Sequence, residues 1–409
     1  MNDLYPIVSK IAHESLKNAP GIMPEGPWWH NLESNFCQRP ESFELHPMDQ
    51  LFVSSTASLD IIMRTIGASM VGAFALPTAA NPITISKMIR DKHLYTNKAD
   101  TQDPSQFFIL PPKHVNIHHQ KSKFNIFKPD QGVCETLYFE SPFEPVNPNL
   151  RNSYLGHKSN KIACAKYWHH LDGPRPTVIA IHGFSADLYW LNEWFFALPW
   201  LYRIGCDILL YTLPFHGDRQ TRFSPFSGYG FFAGGLPMTN EAFAQAVFDF
   251  RIFLNYLFDQ RGVEKVGVTG VSLGGYTSAI LAAVEDRLFF SIPNVPVVSL
   301  ADLILEWFPI NIVIKSLLFI ANRSIKEIRH FLSVHCPLTY PSLIPKDRLM
   351  IIGGVGDRLA PPKHARLLWD HWNRCKIYWF PGSHLIHLDR GMYLRETRRF
   401  LHRIQFLET

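Results

Sequence analysis

A serine spaced between two glycines is the feature of this sequence that could do chemistry. The pattern Gly270-x-Ser272-x-Gly274 follows a short apolar run, residues 265–269, and precedes a helical pattern of small residues. On a sharp strand-to-helix turn, such a serine takes a strained backbone conformation, and a Cβ at either glycine would clash. Its hydroxyl would stand at the carboxyl edge of a sheet, beside helix N–H groups that favour a developing negative charge. We therefore predict that Ser272 is a nucleophile; the alternative is a plain turn of another α/β sheet.

The proposed nucleophile needs a base, because a serine hydroxyl attacks poorly at neutral pH. His384 follows Gly382-Ser383 at the end of a strand candidate and is predicted to take the proton, with His387 as the alternative. A carboxylate on the far ring nitrogen would fix the tautomer and stabilise the imidazolium. Asp357 follows a glycine-rich turn after a strand candidate and is predicted to fill this role; the alternative is that it only caps its loop.

The order of these motifs along the chain carries a family resemblance. His182-Gly183 comes first, then Ser272, then Asp357 after a strand, and finally His384. This order resembles that of the α/β-hydrolase superfamily, in which the nucleophile precedes the acid and the acid precedes the histidine. The intervals leave room for a strand and an inserted lid before the acid, and for one helix and one strand after it.

The resemblance covers about residues 130–409 and implies an oxyanion hole. Two backbone N–H groups would meet the oxyanion: that of Leu273, just after the nucleophile, and that of Phe184, just after His182-Gly183. The side chain of His182 is expected to support its own loop rather than to act as a base. A turn at residues 213–217 resembles a segment of esterase-like members of the superfamily.

Strands and helices alternate along most of the chain, which predicts a mostly parallel twisted sheet with helices on both faces. The resemblance implies the α/β-hydrolase fold, in the α/β class, for residues 106–409. An apolar helical stretch at about 297–346 breaks the alternation and is predicted to be a lid insertion. Residues 1–105 are predicted to form a mainly helical N-terminal extension of unassigned function. Packing on the main domain is the favoured interpretation, and an arm that contacts a partner or a membrane is the alternative.

Composition restricts the compartment and the partners. The net charge of +5 is small for 409 residues, and the scattered basic residues argue against a nucleic-acid partner. Six widely spaced cysteines without a Cys-x-x-Cys motif indicate thiols in a reducing compartment, so the expected location is the cytoplasm. The start of the chain lacks a basic segment followed by an apolar one, so no secretory signal is expected. A spanning helix is not expected either, while contact with a membrane surface stays open.

No cofactor and no metal are expected. His114, His118 and His119 could suggest a metal site, but they alternate with Val115 and Ile117 as strand residues do. No carboxylate accompanies them in the sequence, whereas a metal site of this kind would need further ligands.

The predicted function is that of a serine hydrolase cleaving a carboxylic ester through an acyl-enzyme. A serine at position 272 excludes an aspartyl-ester mechanism, and the Phe-rich loop 223–237 and the apolar stretch 297–340 favour an apolar acyl pocket. This favours a carboxylesterase or lipase-like enzyme whose substrate is a small ester with an apolar acyl part. Two alternatives remain: acyl transfer to an acceptor other than water, and a catalytically silent fold serving as a binding or scaffold protein.

Overall fold

The computed structural model describes residues 26–39, 41, 43–122, 127–185, 196–389 and 391–407. Within these ranges, one nine-stranded sheet has the order β1-β2-β3-β5-β4-β6-β7-β8-β9. Each pair among β1-β2, β2-β3 and β3-β5 is antiparallel. The remaining neighbours pair in parallel, so six strands run in one direction, in the sheet order β5-β4-β6-β7-β8-β9. The strands are β1 His118–Lys121, β2 Gly132–Glu140, β3 Ile162–His170, β4 Thr177–Ile181, β5 Asp207–Tyr211, β6 Val266–Val271, β7 Ser291–Asn294, β8 Met350–Gly354 and β9 Lys376–Phe380.

Helices lie on both faces of this sheet, as the alternation in the sequence predicts. They are α1 Trp28–Asn31, α2 Pro47–Met70, α3 Leu76–Ala79, α4 Pro82–Asp100, α5 Arg151–Leu155, α6 Leu198–Arg203, α7 Tyr229–Phe232, α8 Gly235–Asn255, α9 Leu273–Val284, α10 Leu300–Ile304, α11 Ile310–Ile320, α12 Ile325–Leu332, α13 Pro362–His371 and α14 Met392–Arg403. The fold is therefore the predicted α/β-hydrolase architecture.

The central strand β4 shows why the sheet is covered on both sides. All five of its residues are buried, in a continuous apolar run that is typical of a strand between two helical layers. Ile179 and Ile181 belong to the core that contains α8 and α9. Val178 and Ala180 point to the opposite core, which contains α14. Because side chains alternate along a strand, one apolar run supplies both cores.

The described helices of the N-terminal region pack on the main domain through buried polar contacts. Tyr95 of α4 donates to Glu241 of α8 at 2.8 Å, and both side chains are fully buried. Asp91, also in α4, accepts from the side-chain amides of Asn147 and Asn149. The division into an extension and a main domain at residue 105 stays a prediction. Leu4, Ile7, Ile11 and Leu16 have rough helical spacing in the sequence, and the helix they predict lies outside the described residues.

Two predicted boundaries differ from those observed. The sequence predicts a helix from Thr239, where apolar residues take up helical spacing, but α8 begins at Gly235. The proline in its first turn, Pro237, is tolerated there because those backbone N–H groups have no intrahelical partner. The Phe-rich loop at 223–237 is therefore shorter than predicted. The apolar run at residues 288–292 predicts a strand, which the structure places at Ser291–Asn294, where its last residue pairs with Ile352 of β8.

One helix of the described chain differs from the expectation about membranes. The helices α2 and α3 are joined by a π-helical segment, Val71–Ala75, and together form a continuous 33-residue helix, Pro47–Ala79, which is long and apolar enough by length and composition to cross a bilayer. Only 17% of its most apolar window is buried. The sequence search for an uninterrupted apolar run misses this helix because Asp60 and Arg64 interrupt it.

Candidate active site

The turn at Ser272 has the geometry that the glycine spacing predicts. Ser272 has φ 57° and ψ −111°, a conformation that costs a residue with a side chain about 1–3 kcal/mol. A Cβ at Gly270 would lie 2.2 Å from the carbonyl oxygen of Gly274, and one at Gly274 would lie 2.0 Å from that of Ile181. Both contacts are with backbone and cannot be relieved, so glycine is required at both positions. Ser272 therefore stands at the carboxyl end of β6, directly before α9.

Asp357 and His384 form a buried pair at the ends of two further parallel strands, β8 and β9. Asp357 follows β8 and His384 follows β9, and the Nδ1 atom of His384 is 2.7 Å from Oδ2 of Asp357. The other carboxylate oxygen, Oδ1, accepts from the backbone N–H groups of Leu359 and Ala360 at 2.9 and 2.8 Å. Asp357 is 1% exposed and His384 is 4% exposed. Three hydrogen bonds thus hold the carboxylate in one orientation toward the imidazole.

The electrostatics of the pair favour a histidine that can hold a proton. Burial lowers the pKa of His384, but the charge and hydrogen bond of Asp357, with a further contribution from Asp60, raise it above the ordinary histidine value. Burial also raises the pKa of Asp357, against the lowering effect of the His384 charge. Asp60 was not identified from the sequence, because it lies in α2, about 300 residues before the pair.

The alternative base, His387, lies in an environment that opposes protonation. Its ring stacks on Phe380 at a centroid distance of 3.7 Å and contacts Tyr393 edge-on at 4.6 Å. Burial and the neighbouring His384 lower the pKa of His387 to about 3. The carboxylate of Asp357 contacts His384, so the geometry favours His384 as the base.

The turn after β4 is held by the imidazole of His182. Its Nδ1 lies 2.8 Å from the carbonyl oxygen of Gly183, and its Nε2 accepts from the backbone N–H of Leu213 at 3.0 Å. The turn at Ser272 packs against this turn, since a Cβ at Gly274 would lie 2.7 Å from the carbonyl oxygen of His182. The turn that carries Phe184 therefore lies beside Leu273, the residue after Ser272, because their strands β4 and β6 are neighbours in the sheet.

Parallel strands end at a common sheet edge, so Ser272, Asp357 and His384 all lie along one rim. In the described part of the chain, no hydrogen bond joins the Ser272 hydroxyl to His384. Hydrogen bonds between catalytic groups are often long or poorly aligned before substrate binds.

The histidines of β1 have a different environment from the one expected. His119 lies 3.2 Å from the carboxylate of Glu135 on the paired strand β2, and His169 of β3 lies 3.3 Å from the same carboxylate oxygen. The statement that no carboxylate accompanies His119 was wrong, because antiparallel pairing brings Glu135 beside it from 16 residues away. Among the described residues, no group of three or more ligating side chains fits a metal ion.

Comparison with known proteins agrees with this architecture. No protein-family model matches the chain. Two uncharacterized proteins of Mycobacterium tuberculosis, from strains CDC 1551 and H37Rv, are each 27% identical over 318 residues, which is 75% of this chain and 71% of theirs. Acetyl xylan esterase 1 from Thermoanaerobacterium sp. JW/SL YS485 has a similar structure, with a TM-score of 0.51 and 16% identity over 78% of this chain and 94% of that chain. An acetyl xylan esterase from Paenibacillus sp. R4 gives a TM-score of 0.51 at 15% identity, over 76% and 94% of the two chains.

These similarities and the sheet topology identify the architecture of the molecule. The chain has the α/β-hydrolase fold, and the resemblance inferred from the order of its motifs is confirmed at the level of the fold. At 16% and 15% identity, the solved structures show only the fold of this chain. An activity must therefore be inferred from the residues of the site.

Proposed function

We propose that this protein is a serine hydrolase that cleaves a carboxylic ester, with Ser272 as nucleophile, His384 as base and Asp357 as its orienting carboxylate. The observation that carries the proposal is the buried 2.7 Å contact between Asp357 and His384, at the rim where a strained turn presents Ser272. Buried ion pairs occur elsewhere in this fold, but this one lies at the same sheet edge as the strained Ser272, with β7 between β6 and the strand that precedes Asp357. Strain of this kind is concentrated at functional sites.

The proposed chemistry begins when His384 takes the proton from the Ser272 hydroxyl as the oxygen attacks the ester carbonyl. The new C–O bond makes a tetrahedral oxyanion, which the backbone N–H groups of Leu273 and Phe184 would stabilise. His384 then gives its proton to the leaving alcohol as the ester C–O bond breaks. Water, deprotonated by the same imidazole, hydrolyses the acyl-enzyme and restores the serine. Asp357 stays ionised throughout and stabilises the imidazolium.

Aromatic side chains around the proposed oxyanion turn support an apolar acyl group as substrate. The ring of Phe184 contacts those of Phe226 and Phe232 edge-on, with centroid distances of 6.0 and 5.3 Å. It also lies 5.8 Å from His216, whose buried imidazole has a pKa well below the ordinary histidine value because of desolvation. A neutral, apolar surface of this kind favours an acyl chain over a charged substituent.

Covalent labelling is the most direct test of the proposal. We expect the protein to react with a fluorophosphonate probe and to hydrolyse p-nitrophenyl esters, with a rate that depends on acyl chain length from acetate to octanoate. Adding an alcohol acceptor and measuring the split between acid and new ester separates hydrolysis from acyl transfer. A protein that takes no label and cleaves none of the esters would instead support the catalytically silent binding or scaffold protein.

We also propose that the exposed face of α2 rests on a membrane surface. Leu51, Phe52, Ile62 and Ile66 of this helix are each at least half exposed, an unusual density for solvent-facing residues. The helix has the length to span a bilayer, but Asp60 and Arg64 tie it to the main domain through hydrogen bonds to the segment after β8 and to His384. A helix anchored in this way can lie in the interface and cannot leave the domain to cross the membrane.

Vesicle binding tests this surface. We expect the protein to float with phosphatidylcholine vesicles in a density gradient, and the double variant Leu51→Glu, Ile62→Glu to bind at least about tenfold more weakly, because burial of each leucine or isoleucine contributes about 1.5–3 kcal/mol. Leu171→Glu is the matched control: Leu171 is 70% exposed but follows β3, at the opposite end of the sheet. Equal flotation of all three proteins would exclude the contact.

A further inference from the structure

A carboxylate from the N-terminal region reaches the proposed active site. Asp60 lies in the middle of α2, within the region to which the sequence assigns no function, and its side chain is fully buried. Its Oδ2 atom accepts from the backbone N–H of His384 at 2.8 Å and from that of Arg358 at 3.0 Å. One oxygen of Asp60 thus binds both Arg358, the residue after Asp357, and His384.

Further contacts show that α2 is fitted to these two loops. Arg64, one turn after Asp60, donates to the carbonyl oxygen of Arg358 at 3.0 Å. A Cβ at Gly356 would lie 2.5 Å from the side chain of Val53, which is also in α2. The two loops are joined directly as well, because the N–H of Gly356 donates to the carbonyl oxygen of Gly382 at 2.7 Å. The helix α2 therefore contacts both of the loops that carry Asp357 and His384.

We propose that Asp60 is a positioning residue of the active site, which holds the backbone of His384 and of the Asp357 loop in register and places a second negative charge behind the imidazole. The inference rests on the proposed function, because it gives the N-terminal region a role in that same site. Two backbone N–H groups sharing one carboxylate oxygen form charge-assisted hydrogen bonds, which are stronger than neutral ones. Within the described residues, the other oxygen, Oδ1, is buried and has no hydrogen-bond partner.

The buried, half-satisfied carboxylate argues for more than a structural role. A group that only joined two loops could be a neutral asparagine, which would avoid the cost of burying a charge. Among the described residues, the charged and titratable groups that act on His384 are Asp357 from the segment after β8, Asp60 from α2 and His387 from its own loop. The nearby cation, Arg64, contacts the carbonyl of Arg358 rather than the imidazole. Both carboxylates thus favour the protonated form of His384, which is the form that the transition state requires.

Two substitutions separate the charge of Asp60 from its hydrogen bonds. Asp60→Asn keeps an oxygen acceptor for both N–H groups and removes the charge, whereas Asp60→Ala removes both. We expect Asp60→Ala to lower kcat for ester hydrolysis about 10- to 100-fold with little change in KM, because a small displacement of a catalytic group has effects of this size. Asp60→Asn should lose less activity, and the acid limb of its kcat/KM profile should move to lower pH, since the imidazolium loses a stabilising charge.

The control is Asp49→Asn, which removes a charge from the first turn of the same helix, at a partly exposed position. We expect it to leave kcat and the pH profile unchanged. The pKa of His384, followed by NMR of the imidazole in the full-length protein, gives a measurement that needs no substrate: it should fall in Asp60→Asn and stay constant in Asp49→Asn. Because this measurement needs only folded protein, it also decides the inference if Asp60→Ala does not fold.

The inference is overturned if Asp60→Asn leaves both the pKa of His384 and the pH profile as in the wild type. Failure of the proposed function has a different signature. A wild-type protein that takes no fluorophosphonate label fails as a serine hydrolase, whatever the NMR titration shows. A wild type that is labelled, together with an Asp60→Ala variant that folds and keeps full kcat, excludes the positioning role alone.

Discussion

Replacing Ser272 by alanine should abolish ester hydrolysis and labelling by a fluorophosphonate, while the protein stays folded. The expected loss in kcat is about 10⁴-fold or more, because removing the nucleophile of an acting triad leaves only the residual contributions of binding and the oxyanion hole. Alanine lacks the hydroxyl but occupies the same strained turn, so the flanking glycines and α9 keep their packing. Activity should be measured with the best ester of the panel, and labelling should be followed by intact-protein mass.

The control for this prediction is Ser278→Ala, in the helix that directly follows Ser272. Ser278 is fully buried, whereas Ser272 is partly exposed, and it donates to the carbonyl oxygen of Gly275 at 3.0 Å, so the variant removes a nearby serine hydroxyl that is not presented at the sheet edge. We expect this variant to retain activity and to take one equivalent of label. If Ser272→Ala hydrolyses esters as fast as the wild type, another residue is the nucleophile and the proposed function is wrong.

The features that could be predicted from the sequence are those that depend on local chemistry. Glycine is required at position 270 by contact with the backbone of Gly274 and at position 274 by contact with the backbone of Ile181 at the end of β4, so the pattern is visible in six residues. The fully apolar run of β4 identifies a central strand because both its faces must be covered. The order of the motifs then restricts the fold, since a parallel sheet brings the ends of successive strands to one edge.

The features that could not be predicted depend on tertiary contacts between distant segments. In the sequence, Asp60 is one of three charged residues in the helical pattern of α2, and only the packing of this helix on the loops after β8 and β9 gives it partners. The carboxylate beside His119 was missed for the same reason, because Glu135 reaches it across an antiparallel pair. Neither contact has a signal in spacing or composition, and the burial of Asp60 is visible only in the structure.

These contacts also change the interpretation of the N-terminal region. From the sequence, packing on the main domain and contact with a partner or a membrane are alternative interpretations of residues 1–105. The described helix has two faces with different roles: Val53 and Asp60 lie against the main domain, whereas Leu51 and Ile62 face outward. If this helix rests on a membrane as proposed, its contact with the lipid would be coupled to the position of the loop that carries His384, because Asp60 of the same helix binds that loop.

The substitution Asp357→Asn should reduce kcat about 10⁴-fold while preserving the shape of the site, because an amide in place of the carboxylate holds the imidazole in the wrong tautomer. The Oδ1 acceptor for Leu359 and Ala360 can be retained by the asparagine oxygen, which would direct the amide nitrogen toward His384. That nitrogen can donate to Nδ1 but cannot accept from it, so the proton moves to Nε2, the atom that must take the proton from serine. Loss of the Asp357 charge also lowers the pKa of His384, so the acid limb of the remaining activity should move to lower pH.

The pH dependence separates these two effects of Asp357→Asn. Loss of the charge alone lowers the pKa of His384 and leaves the imidazole neutral over a wider pH range, so it moves the acid limb without placing the proton on Nε2. The tautomer argument predicts that the loss persists across the alkaline range, where His384 is neutral but carries its proton on the wrong nitrogen. Asp370→Asn, a partly buried aspartate in α13 paired with Arg374 at 3.5 Å, should retain wild-type kcat and pH profile. Full activity of Asp357→Asn at neutral pH would mean that Asp357 serves only to cap its loop, and the orienting role of the carboxylate would have to be abandoned.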